Sequence, residues 1–280
     1  MSFKMRAIWF CVVVTFTFVE SSSQIGSLRG YFSTKPEVRI INGEVCKPHC
    51  MPYIVGINLE MPYGSDFCSG SLISPNYVLT AAHCLDTALK AEVIFGAHNI
   101  TANEPTQVRQ MVATDNFIIH PGWGNDGQLT HDLALIKLHQ PVAENEYIKI
   151  VELASGTDRY VSSIGRIAGW GMTSNEQTVV TAVLRYVDGT IMSKKACRLV
   201  DSSYRRIIRD THLCLSGSSS RGNIGTCGGD SGGPLAVDGV QVGIVSFGTS
   251  QCGIGKPSVF TRVSSYADWI TSNSDVAINK

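Results

Sequence analysis

From residue 40 to the C-terminus, apolar residues come in short runs that alternate with turn-forming clusters. Residues 53–57, 71–73, 77–80, 92–95, 107–112 and 133–138 in the first half, and 166–168, 184–187, 235–237, 242–245 and 259–263 in the second, are rich in β-branched and aliphatic side chains. They are too short for typical helices, so each predicts a strand. Ser74-Pro75-Asn76, His120-Pro121-Gly122, Asn125-Asp126-Gly127 and Asp238-Gly239 supply turns between them. Only residues 265–270 break this rhythm: Ser265 offers a helix cap, and Tyr266, Trp269 and Ile270 recur at helical spacing. Many short strands with regular turns predict an all-β chain, a sandwich or a barrel, with a short C-terminal helix.

The first 39 residues follow a different pattern. Lys4 and Arg6 precede an almost uninterrupted apolar run, residues 7–19, which ends at Glu20-Ser21. That is the layout of a secretory leader, residues 1–21, and the run is shorter than the roughly 20 residues that span a bilayer as a helix. Residues 22–39 are polar, lack cysteine, and end in Val38-Arg39 before Ile40-Ile41-Asn42-Gly43. They read as a propeptide, removed by cleavage after Arg39, which would place an α-ammonium on Ile40; the alternative is a strand entry with an incidental arginine. Residues 40–280 then form the functional body.

Composition narrows the class. With 44% hydrophobic and 16% charged residues the chain is far from the composition of a disordered protein. Without residues 1–39 it holds 18 Lys and Arg against 21 Asp and Glu, a mildly acidic body with no basic run that points to nucleic acid. No later stretch suits a membrane span, so a secreted, soluble protein is expected, and nothing calls for more than a monomer. Of nine cysteines, Cys11 leaves with the leader, and the even remainder suits an oxidising compartment.

The candidate chemistry centres on Gly228-Gly229-Asp230-Ser231-Gly232-Gly233-Pro234. A lone serine among glycines sits where the backbone turns tightly and a ligand can approach main-chain N–H groups. Its hydroxyl is a poor nucleophile unless a positioned base takes the proton. Two other placements are odd in a way that answers this need. His83 lies beside a cysteine in Thr80-Ala81-Ala82-His83-Cys84, and Asp132 precedes the buried-strand pattern Leu133-Ala134-Leu135-Ile136, where a carboxylate needs a partner to offset its desolvation. A Ser231, His83 and Asp132 relay explains all three at once.

Together with Gly169-Trp170-Gly171 and Val245-Ser246-Phe247-Gly248, the motifs at Ile40, His83, Asp132 and Ser231 resemble those of trypsin/chymotrypsin-type secreted serine proteases, most of all invertebrate chymotrypsin-like and collagenase-like members. The likeness runs from Ile40 to about Ile270, in order. It implies two six-stranded antiparallel β-barrels with the active site between them. It gives His83 the role of base, Asp132 that of orienting the imidazole, Gly229 and Ser231 the backbone N–H groups of an oxyanion hole, and Asp230 that of receiving the Ile40 ammonium. Substrates would be proteins or peptides, with no cofactor, and the zymogen's partner would be an activating protease that cuts after Arg39.

The resemblance also implies disulfides Cys68 to Cys84, Cys197 to Cys214 and Cys227 to Cys252. Cys46 and Cys50 depart from the family pattern; a small local bridge is the economical pairing, and a zinc site with His49 would lack a fourth ligand. Where calcium-binding relatives carry a glutamate, this chain has Ala97, so no metal is expected. The specificity pocket would be built from Gly225, Ser246, Phe247, Gly248 and Ser258. None of these is acidic, which points to large apolar P1 residues, unless Asp210 reaches in to restore basic specificity. Asn99-Ile100-Thr101 is a glycosylation sequon. The competing class is a catalytically silent relative that acts as a secreted binding protein.

Overall fold

The computed structural model describes residues 42–125, 129–200, 202–220 and 222–278. The leader, the propeptide and the Arg39–Ile40 bond lie outside the described residues.

Seven strands form the first sheet: β1 (Ile54–Met61), β2 (Gly64–Ser74), β3 (Tyr77–Thr80), β4 (Lys90–Phe95), β5 (Val108–Ala113), β6 (Phe117–Ile119) and β7 (Ala134–Lys137). Their order is β5-β4-β1-β2-β3-β7-β6, antiparallel throughout. The two edge strands are halves of one segment, broken by the single 3-10 turn Thr114–Asn116, so the sheet curls round on itself. Alternation sets which face turns inward: in β1, Ile57 and Leu59 are buried while Asn58 and Glu60 face solvent. The inward faces pack as one core that includes Leu72, Leu79, Val93, Phe95 and Leu135.

Six of the second sheet's eight strands close into a barrel, with the two-residue strands Glu44–Val45 and Glu152–Leu153 paired onto it. The six are β8 (Ile164–Gly169), β9 (Arg185–Met192), β10 (His212–Leu215), β11 (Pro234–Val237), β12 (Val240–Phe247) and β13 (Ser258–Arg262). They run in the order β9-β8-β11-β12-β13-β10, and β10 returns to β9 through the pairs Ile191 with Leu215 and Met192 with Cys214. Closure leaves no free edge in this ladder. Ile167, Leu213, Leu235, Val245 and Phe260 fill it. The expected all-β architecture of two antiparallel barrels is therefore present, the first as a curled sheet of seven segments.

A third apolar cluster joins the two halves. Trp170, fully buried, packs with Ile54, Ile94 and Ile100 of the first half and with Ala168 and Ala236 of the second, and its indole N–H donates to the His98 carbonyl at 3.1 Å. Truncating a buried side chain of this size typically costs about 3–5 kcal/mol.

The helices go beyond what apolar spacing predicts. Besides the terminal α4 (Ala267–Asn273) the chain forms α1 (Ala82–Leu85), α2 (Lys194–Leu199) and α3 (Ser202–Ile207). Each of these is under two turns, and α2 and α3 bury a single side chain apiece, Cys197 and Tyr204, so no periodicity marks them. Other constraints hold them: Ser193 caps α2 by accepting the Ala196 N–H at 3.1 Å, and Cys197 is bonded to Cys214 on β10. Ser265 is not the cap of α4. It lies in the 3-10 turn Val263–Tyr266, and its hydroxyl accepts from Arg262 Nε at 2.7 Å.

Candidate active site

Asp132 lies just before β7, next to a backbone that turns through the left-handed region at His131 (φ 58°). Its side chain is 1% exposed, a placement that demands full hydrogen bonding. Oδ1 accepts the His83 backbone N–H at 3.0 Å, and Oδ2 faces His83 Nδ1 at 2.8 Å and accepts the Ser246 hydroxyl at 2.5 Å. Thr261 of β13 donates to the Asp132 carbonyl at 2.8 Å. The two bonds to His83 fix both its backbone and its ring, so Nδ1 carries the proton toward Asp132 and Nε2 is left to act as a base.

His83 sits in α1, with Cys84 bonded to Cys68 at the middle of β2. Burial alone would depress the imidazolium. The hydrogen bond to Asp132 and the charge of Asp132, with Asp86 and Asp66 further out, outweigh it, so the ring's pKa is held above its ordinary value. Trp123 stands beside the ring, with centroids 6.4 Å apart, anchored by its own N–H to Asp86 at 3.0 Å.

Ser231 belongs to the turn that leads into β11, and that turn is wedged between the two halves. The Ser69 N–H donates to the Ser231 carbonyl at 2.8 Å, and the Ser69 hydroxyl donates to the Gly229 carbonyl at 3.0 Å. Gly232 has φ +78°, and a Cβ there would collide with Thr80 Oγ1 and the Ser69 carbonyl. Only glycine satisfies both the dihedral and the close approach. Within the turn the N–H groups of Asp230, Gly232 and Gly233 are bonded to Cys227, Val245 and Asp230 carbonyls. Those of Gly229 and Ser231 meet no acceptor among the described residues, which leaves two neighbouring donors for a ligand oxygen.

Ser231 and Ser246 line one cavity of about 350 Å³, together with Met172, Thr226, Phe247 and Gly248. Ser246 thereby links this cavity to Asp132 and His83. No charged side chain is among its walls. Gly225 and Ser258 stand behind the wall rather than in it: the Ser258 hydroxyl, 4% exposed, is held by the Thr226 N–H and hydroxyl, each at 3.0 Å. Asp210 is engaged elsewhere, with Lys194 at 2.6 Å and Arg159 at 2.5 Å.

Asp230 is fully sequestered. Its oxygens accept from Gly171 N at 3.0 Å and Cys227 N at 2.9 Å, and no cation among the described residues reaches it. Burial pushes its pKa up to about 6, with the two N–H bonds pulling against that rise. Gly169 and Gly171 are what let the carboxylate lie so close to β8, since a Cβ at either would press on its oxygens.

Sulfur pairs Cys68 with Cys84, Cys197 with Cys214, Cys227 with Cys252 and Cys46 with Cys50, with Cα separations of 6.3, 6.3, 5.4 and 6.0 Å. Cys46 lies beside the start of β9, its N–H bonded to the Leu184 carbonyl at 3.0 Å. Among the described residues, the one group with metal-ligand spacing is Cys68, His83 and Cys84, and both sulfurs are spent in a disulfide. In the loop after Gly96, Glu104 accepts from the N–H groups of His98 and Asn99, and the Asn99 amide oxygen accepts from the Thr101 N–H and hydroxyl.

Sequence reasoning missed the second partner of Asp132. Ser246 enters it as a pocket wall, whereas its hydroxyl is bonded to a carboxylate 114 residues away in sequence. The signal available was the Val245-Ser246-Phe247-Gly248 motif, a polar residue inside an apolar strand.

Residues 40–270 match the family model described as Trypsin. The chain is 39% identical to brachyurin of Leptuca pugilator over 85% of its own length and 99% of the relative's. It is 38% identical to chymotrypsin of Phaedon cochleariae over 86% and 84%. Among solved structures it superposes on HL collagenase with a TM-score of 0.72 at 29% identity, covering 85% of this chain and all of that one. It superposes on mouse neuropsin with a TM-score of 0.71 at 32% identity, covering 82% and 97%. The matched family model, the curated relatives and the shared two-barrel fold agree: this chain belongs to the trypsin family of serine proteases.

Proposed function

We propose that the protein is a secreted serine endopeptidase, made as a zymogen, that cleaves proteins or peptides through an acyl-enzyme. Ser231 attacks the scissile carbonyl carbon while its proton passes to His83 Nε2; the tetrahedral intermediate collapses as His83 returns that proton to the leaving amine, and water repeats the sequence to release the acid. Asp132 holds the imidazole tautomer and offsets the imidazolium charge. The N–H groups of Gly229 and Ser231 receive the developing oxyanion, a contribution of about 3–4 kcal/mol per donor. The carrying observation is the hydrogen-bonded set Ser246, Asp132 and His83, whose Ser246 lines one cavity with Ser231, and the Ser231 turn with its two unused N–H donors. No cofactor enters this scheme.

Activation follows from Asp230. A buried carboxylate with two N–H donors and no cation among the described residues suits a charge delivered later, and cleavage after Arg39 supplies one on Ile40. Release of the leader at residue 21 and export precede that step, and the half-buried Asn99, in its Asn99-Ile100-Thr101 sequon, is the site of glycosylation.

The uncharged cavity beside Ser231 supports a preference for Phe, Tyr, Leu or Met at P1, with Thr226, Phe247 and Gly248 as its walls. The competing reading, a silent binding protein, is not favoured, because His83, Asp132 and Ser231 are all retained. A serine-directed fluorophosphonate separates the two: the activated protein gains one adduct at Ser231, and an unlabelled Ser231 would overturn the proposal.

A further inference from the structure

The chain's formal charge is zero, yet its cations are not evenly spread. Lys194, Lys195, Arg198, Arg205, Arg206 and Arg209 fall within sixteen residues that hold one acid, Asp201. In sequence they are separated pairs and single residues. Folding α2 against α3 gathers five of them, Lys194, Arg198, Arg205, Arg206 and Arg209, around one open concavity of about 570 Å³.

Neutralisation there is incomplete. Asp210, the acid on its rim, is shared between Lys194 and Arg159. Among the described residues no acid pairs with Arg198, Arg205, Arg206 or Arg209. Two of these guanidinium groups are braced by main-chain carbonyls instead. Arg198 donates through Nε and Nη2 to the Arg205 carbonyl at 3.1 and 2.9 Å, and Arg209 donates through Nη1 to the Arg206 carbonyl at 2.5 Å. A guanidinium has five N–H donors, so the bracing orders the side chains while leaving donors free. The base is rigid: Cys197 is bonded to Cys214, and the Tyr204 hydroxyl donates to the Pro257 carbonyl at 2.7 Å.

We propose that this α2–α3 face is a binding surface for a sulfated polysaccharide. Four arginines, two of them braced by main-chain carbonyls, match the forked geometry of sulfate oxyanions better than a set of mobile lysines would. No aromatic ring lines the concavity and Ile208 is its single apolar wall. It therefore lacks the stacking platform that single-stranded nucleic acid uses and the apolar anchors that a peptide partner needs. The face stands apart from the cavity beside Ser231, with no lining residue in common, so the enzyme could be held on a sulfated matrix while it turns over peptides.

The test uses the full-length chain and heparin. Wild type should elute from heparin-agarose at a higher salt concentration than from a sulfopropyl resin of matched charge, and its affinity for a heparin fragment should fall steeply with salt, as counterion release requires. Arg205→Glu/Arg206→Glu, at two exposed side chains, should weaken that affinity at least tenfold. The milder Arg205→Gln/Arg206→Gln should give an intermediate loss, and hydrolysis of a small peptide by both activated variants should match wild type. Equal elution from the two resins, undiminished heparin affinity in the variants, or polyglutamate binding as tight as heparin would each overturn the proposal.

Discussion

Replacing Asp230 by Asn should stabilise the protein before Arg39 is cut and destabilise it afterwards. In the intact chain the Ile40 nitrogen is a peptide nitrogen and carries no charge, so the carboxylate is buried with only two N–H donors for company. Its pKa then stands at about 6, against an ordinary 3.8 in the unfolded chain. Between those values the folded state binds more protons than the unfolded one, so the stabilisation present below pH 3.8 is lost as pH rises through 6. A rise from 3.8 to about 6, at about 1.36 kcal/mol for each tenfold change in proton affinity, removes roughly 3 kcal/mol, with a plateau above pH 7. Asn mimics the protonated acid in shape and charge and removes this slope. Once cleavage supplies the Ile40 ammonium, the carboxylate gains its counter-charge, and losing one partner of such a buried pair costs about 3–5 kcal/mol. Urea denaturation at pH 4 and pH 7 measures both arms, in uncleavable Arg39→Gln protein and in cleaved protein, each with and without Asp230→Asn. Parallel pH dependence of the two uncleaved proteins, or a stabilised cleaved variant, would refute the reasoning.

Because Asp132 holds the His83 pKa above its ordinary value, kcat/KM should fall as pH drops through that raised value, and Asp132→Asn should lower kcat by about 10⁴-fold, as it fixes the wrong tautomer; a pH–rate profile with an unmoved activity in the variant would contradict this. Gly232→Ala forces a side chain into Thr80 and the Ser69 carbonyl at a positive φ, so thermal melts should show a loss of more than about 1–3 kcal/mol, and phosphonate labelling should fail. Cys46→Ser/Cys50→Ser opens so small a loop that the cost should lie at or below about 2 kcal/mol, leaving a folded and active enzyme by calorimetry and peptide hydrolysis.

Residue chemistry was the most legible layer. Ser231 among glycines, His83 beside a cysteine and Asp132 before an apolar strand are each costly placements unless they serve one another, and the structure brings His83 and Asp132 into contact. Short apolar runs likewise mark most of the strands, because strands such as β3, β11 and β12 are buried along nearly their whole length, while β1 and β9 show alternation. What escaped depends on which way a side chain points. Counting back from Ser231 reaches Gly225, but Thr226 forms the cavity wall and Ser258 is turned to hold Thr226. Strand β10 escaped because it is four residues long and buried throughout, and helices α2 and α3 because a disulfide and one buried side chain apiece fix them, which leaves no period in the sequence. The basic concavity is legible in part: six cations fall within sixteen residues, but only the packing of α2 against α3 puts five of them around one hollow.

The most direct test of the account is kcat/KM of the Arg39-cleaved protein on matched peptides that differ only in Phe, Leu or Arg at P1, beside Ser231→Ala. With no carboxylate in the cavity, a buried substrate cation lacks its partner, a penalty of about 3–5 kcal/mol or roughly 10²–10⁴ in rate. The account predicts rapid cleavage after Phe and Leu, that margin over Arg, and no cleavage by Ser231→Ala. Preference for Arg, or hydrolysis that survives Ser231→Ala, would contradict it.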